Sequence, residues 1–123
     1  MTGREVMSQD QHESDVNLAV VVGHVARDAT RVEMGDGRVF TNFDVVTRGG
    51  GVRNVVPVTA EWDMDLATGD TVAVTGSVNK RFFSAGGSMA SRTDVRAHKV
   101  TVIRRRDQLS RFLAGVVKGL GSR

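Results

Sequence analysis

The sequence holds no cysteine, no tyrosine, one tryptophan and one proline, and these scarcities narrow the chemistry open to it. Without cysteine there is no disulfide framework, no thiolate nucleophile and no Cys-type zinc site. His12, His24 and His98 stand at no ligand spacing to a carboxylate pair, so nothing supports a bound metal, and no motif implies a cofactor. There is no Ser-centred nucleophile motif and no acid and base pairing among the carboxylates, which predicts a protein that is not an enzyme. No apolar run reaches the ~18–20 residues of a membrane span, and MTGREVMSQDQHESD lacks the basic start and apolar middle of a signal peptide. A cytoplasmic protein with no membrane partner is expected.

What is present is charge, unevenly placed. The formal net charge is +3, but residues 1–75 carry six Lys/Arg against twelve Asp/Glu, and residues 76–123 carry eleven against two. The halves are therefore −6 and +9. A basic half of this kind meets either an anionic polymer or the acidic half of a neighbouring subunit.

A chain of 123 residues is one domain on length alone. Residues 1–15 are polar and without period, the composition of a disordered arm. Asn17 to Ala26 is then a run of Leu, Val and Ala broken by Gly23, a residue that marks a bulge, a bend or a close backbone approach inside a strand. Asp28-Ala29-Thr30 interrupts this strand, Arg31 to Met34 continues it at a changed angle, and Gly35-Asp36-Gly37 turns the chain into a second strand through Val39, Phe40, Phe43, Val45 and Val46. Gly49-Gly50-Gly51 reads as a flexible connection with no phosphate-loop Lys after it. Val52 to Ala60 is a third strand, placed at a sheet edge or broken by Pro57. Glu61 to Gly69 has room for one helical turn, with Trp62, Met64 and Leu66 to plug a barrel end. Asp70 to Val78 is a fourth strand and Thr93 to Ile103 a fifth, with Ser84 to Ser91 forming a small-residue tip between them. The tail alone reads as helix: Leu109, Phe112, Leu113, Val116, Val117 and Leu120 make one apolar stripe, with Asp107 as N-cap. It docks either on the barrel or on a copy of itself.

Five short strands, the first long and bent, predict an all-β, five-stranded OB-fold barrel with a C-terminal amphipathic helix. The division expected is 1–15 arm, 16–104 barrel and 105–123 basic helix. Asn17, Gly23, Asp28, Arg31, Gly35 to Gly37, Asn42, Phe43 and Thr47, with Gly69-Asp70-Thr71-Val72-Ala73-Val74-Thr75-Gly76, resemble the motifs of bacterial single-stranded DNA-binding proteins in a shortened and divergent form. The resemblance implies a homo-oligomer, dimer or tetramer, acting in DNA replication, repair or recombination on the nucleoid, with single-stranded DNA as partner and RNA as the other candidate. The departures matter too. Members of that family carry stacking tryptophans where this chain has Arg48 with glycines and Arg53-Asn54, and they often end in an acidic recruiting tip where this chain has a basic helix. Loss of these features is similar to a dimeric OB-fold accessory protein of replication restart.

The binding residues expected are Arg48, Arg53, Lys80, Arg81, Arg92 and Arg96 for phosphates, and Phe82 and Phe83 for bases. Adjacent strand residues point to opposite faces, so at least one of the two phenylalanines leaves the core. By the same parity Phe40 and Phe43 face opposite sides, although strand two needs core residues. Arg104-Arg105-Arg106 precedes a helix N-terminus, whose dipole it opposes, and forms either a secondary anion site or a solvated cluster. The alternative function is an OB-fold interaction or assembly module that has lost strong DNA binding and docks a partner through its helix.

Overall fold

The computed structural model describes residues 15–121, so the arm expected over 1–15 lies outside the described residues apart from Asp15. The elements are β1 (Ala19–Val25), β2 (Thr30–Glu33), β3 (Val39–Gly49), β4 (Val52–Ala60), β5 (Thr71–Ala85), β6 (Ser88–Val102) and a helix, α1 (Arg106–Gly121). Alternation produces the barrel. On β3, Thr41, Phe43 and Val45 are buried while Phe40, Asn42 and Asp44 between them are only half-buried, the signature of a strand with one face on a core.

The strands run in the order β1-β5-β6-β4-β3-β2, and a further β1–β3 pairing closes the sheet on itself. Every pairing is antiparallel except β4 with β6, which run parallel at Val58 with Val95 and Thr59 with Arg96. With β1 and β2 taken as two legs of one bent path, this is a closed five-stranded OB-like barrel carrying one helix, the architecture expected from the strand pattern. Its interior is filled by Val25, Phe43, Val45, Val58, Leu66, Val72, Val74 and Val95.

Closure depends on two glycines where backbones touch. Next to Gly23, β1 begins to pair with β3 on one edge while keeping β5 on the other, and a Cβ at Gly23 would overlap the Val46 carbonyl oxygen. At Gly76 a side chain would overlap the Arg96 carbonyl oxygen, at the register shift between Thr75 and Gly76. Asn17 extends the seam: its side-chain amide donates to the Val78 carbonyl at 2.9 Å and accepts from the Val78 N–H at 2.8 Å, imitating one more rung of ladder.

Several local expectations are corrected. β5 and β6 run on to Ala85 and from Ser88, so Ser84 to Ser91 is not a broad tip: Gly86 and Gly87, at φ 59° and 86°, make a two-residue turn whose twist suits continuing strands. Gly50 and Gly51 form a similar tight turn rather than a flexible connection. Glu61 to Gly69 contains no helical turn; it is held extended by the buried Thr41 hydroxyl, which donates to the Trp62 carbonyl at 2.7 Å and accepts the Met64 N–H at 3.1 Å. Leu66 plugs the barrel end, 2 % exposed. Pro57 sits opposite Asp44, next to the point where β4 first meets β6, so β4 is an edge strand up to the proline.

The helix starts two residues earlier than an Asp107 cap implies, which places Asp107 inside the first turn and not at the cap. Capping falls to Gln108, whose Oε1 accepts the N–H groups of Arg104 and Arg105 at 2.6 and 2.9 Å. Phe112 is buried against the barrel, while Leu113, Val117 and Leu120 remain exposed.

Adding a methyl group at Gly76 or Gly23 forces two backbones apart. Gly76→Ala and Gly23→Ala are each expected to lower stability by about 1–3 kcal/mol, the usual cost of overpacking. Urea midpoints would show it, and unchanged midpoints would contradict this account of closure.

Candidate nucleic-acid interface

Because β4 and β6 are parallel, the β3–β4 and β5–β6 hairpins project their tips from the same end of the barrel. From Asn79 with Asp94 to Ala85 with Ser88, β5 and β6 pair only with each other, an arm of seven residue pairs and about 24 Å. Side-chain parity along these arms decides which candidates share a surface. Arg48 lies opposite Arg53, and Arg81 opposite Arg92. All four have the parity of Asn42, Thr59 and Arg96, the outward face of the barrel.

Like charges directly opposite on paired strands repel. None of the four side chains makes an ion pair among the described residues, and only Arg81 feels a buried carboxylate, that of Asp94, at longer range. Phe83, 47 % exposed, shares their face. Phe82 and Lys80 take the opposite face of the arm, where the Lys80 Nζ stands 5.5 Å from the centre of the Phe82 ring and Phe82 is 67 % exposed. Both phenylalanines are thus outside the core, and they cannot share one flat surface.

Arg96 behaves differently from the other candidates. Its Nη1 donates to Glu61 at 3.0 Å and its Nε lies 3.6 Å from Asp94, so its charge is already met by carboxylates. Asp94 is 2 % exposed and joins three strands: it accepts from the Thr59 hydroxyl on β4 at 2.7 Å and from the Asn79 amide on β5 at 3.3 Å. Burial pushes its carboxyl up, but those hydrogen bonds and the charges of Arg96 and Arg81 outweigh burial and hold it below the ordinary value of 3.8.

Two shallow grooves cross the outward face and meet at Asn42. One, about 210 Å³, runs between Phe40 and Met34 on one side and Thr59, Arg81 and Arg96 on the other. The second, about 220 Å³, has Arg27, Asp28 and Asp44 on one side and Arg92 on the other. Phe40 and Phe43 do face opposite sides: Phe40 is outward, beneath the Arg38 guanidinium at 5.4 Å, while Phe43 is in the core. Asn42 was singled out only by its resemblance to a motif, yet it is the residue common to both grooves. Arg104, Arg105 and Arg106 follow the far end of β6, about 33 Å along the strand from Arg92, and are not part of this face. Asp107 partners Arg105 there at 3.1 Å.

Asp94→Asn keeps the shape and removes the charge. A loss of about 1–3 kcal/mol at pH 7 is expected. Since the folded carboxyl titrates below its ordinary 3.8, its contribution is complete above that pH and disappears as pH falls through the folded value. Urea unfolding at pH 7 and pH 3 should therefore show a gap between wild type and variant that narrows in acid; a gap independent of pH would rule out the charged network.

No protein-family model matches the chain, and no curated protein matches it.

Proposed function

We propose that this protein is a non-catalytic, sequence-tolerant single-stranded DNA-binding protein, a homo-oligomer and a divergent relative of the bacterial single-stranded DNA-binding proteins, serving replication, repair or recombination. The observation that carries the proposal is the pair of cross-strand arginine couples without an ion pair, Arg48 with Arg53 and Arg81 with Arg92, on two arms that project from one end of the barrel. Each couple costs the free protein a little repulsion that a phosphate bound at each guanidinium removes.

Binding is then mostly counterion release, with limited stacking. A strand laid along the outward face meets four cations and one aromatic ring, Phe83, at the arm. Every base offers a π-face, so stacking there tolerates any sequence. A single strand bends into such a face, whereas a rigid duplex cannot bring both backbone and base faces to it.

Anisotropy of a labelled dT oligomer, titrated at several salt concentrations beside duplex of the same length, tests this. Four phosphate contacts predict a slope of about −3 in log affinity against log salt, and Arg81→Ala should make it shallower by about 0.7. Phe83→Ala should weaken binding by about 1–3 kcal/mol without changing the slope, and Phe82→Ala should have a smaller effect because it faces away from the arginines. Affinity for the single strand no greater than for duplex would refute the proposal.

The exposed Leu113, Val117 and Leu120 on α1 support self-association. Leu113→Glu combined with Val117→Glu is expected to reduce the sedimentation coefficient, and an unchanged value would remove α1 from the subunit contact. If strand binding fails while this face proves to be a contact, the assembly-module reading takes its place.

A further inference from the structure

We infer that the groove beside Phe40 is a seat for a single nucleobase, selective for guanine, with Asn42 as the residue that reads it. This inference rests on the proposed binding of a single strand to the outward face. The groove's volume of about 210 Å³ falls below the ~300 Å³ at which drug-sized pockets begin, which suits one base and little more.

Its two sides differ in chemistry. Phe40 and Met34 form an apolar side against which a flat ring can lie. The Arg38 guanidinium, held by Asp36 through a 2.7 Å contact, stands over the Phe40 ring at 5.4 Å from outside the groove and steadies that ring. The facing side offers mainly hydrogen-bond donors. Arg81 carries a guanidinium with N–H groups enough for a phosphate and a base edge, Arg96 keeps those not turned to Glu61 or Asp94, and the Thr59 hydroxyl is already spent as a donor to Asp94. Asn42 alone brings a carboxamide, able to donate and accept at once, and that amide makes no hydrogen bond among the described residues.

A donor-rich wall with one amide acceptor sorts the bases. Guanine presents two adjacent acceptors, O6 and N7, to guanidinium donors, and its N1–H can donate to the Asn42 carbonyl oxygen. Adenine and cytosine place an amino group where guanine has O6, setting donor against donor. Thymine offers acceptors but a smaller ring for Phe40 to cover. The remainder of the face reads phosphates and stacking only, so one selective seat sits within an otherwise tolerant track.

The probes are labelled dT 12-mers carrying dG, dA or dC at every third position, a spacing that leaves no guanine runs to pair among themselves. Wild-type protein should bind the dG oligomer about tenfold more tightly than the dA or dC oligomers, the worth of one good base contact. Asn42→Ala and Phe40→Leu should each bring that ratio towards one, and because the readout is a ratio, partial loss of folded protein does not imitate it. Equal affinities for the three oligomers, or a preference that survives both substitutions, would overturn the seat while leaving strand binding intact. Failure of every oligomer to bind at low salt would reject strand binding itself and the seat with it.

Discussion

The meeting of two backbones at Gly23 is the contact on which the rest depends. A sheet of this length closes only if one strand pairs along both edges, and β1 does so at His24, opposite Thr71 of β5 on one edge and Val46 of β3 on the other. The Val46 carbonyl oxygen occupies the space a side chain would need. Closure sets the curvature of the barrel, and curvature makes β4 and β6 parallel neighbours. That parallel pairing in turn sends both hairpin arms out of the same end. The position of four arginines thus descends from one missing Cβ.

Electrostatics divides the molecule along the same lines. Six of the nine described acidic side chains of the first half have partners: Asp28 accepts from Thr68, Asp36 holds Arg38, Asp70 accepts the Ala67 N–H, Arg31 leans on Glu33 and Asp63, and Glu61 accepts from Arg96. Among the basic residues of the second half, Arg96, Arg105 and Arg111 are paired with carboxylates while Arg81 and Arg92 face each other. An excess of positive charge alone would be weak ground for a binding face. Two arginine couples set opposite each other on adjoining arms are stronger ground, because a stable fold has no use for that repulsion.

Much of this was legible from residue order. Period-two alternation located the strands, Gly23 announced a close approach, and the apolar stripe of the tail announced the helix. Arm length was not legible, because Ser84, Ala85, Ser88 and Ala90 have the composition of a loop and adopt strand only by pairing across the Gly86-Gly87 turn. The helix cap was missed for a related reason: Asp107 is a good cap by type, but the Gln108 side chain satisfies the preceding N–H groups and the helix begins before it. The pairing of Arg96 with Glu61, and of Asp94 with Thr59, brings together residues from separate stretches, which no local pattern records. The sidedness of Phe82 and Phe83 was available from parity, but which of them joins the arginines required the register of β5 on β6.

Asp94 also fixes how the arm moves. It sits at the arm's root, fastened to Thr59 on one neighbouring strand and Asn79 on the other, with Arg96 across it. Beyond that rivet no third strand pairs with the ribbon among the described residues, and two strands alone are soft. The arm is therefore a cantilever with a stiff joint and a compliant blade. A bend of about 10° at the root carries the tip, about 24 Å away, through about 4 Å. One buried carboxylate thus sets where the rigid barrel ends and the compliant arm begins.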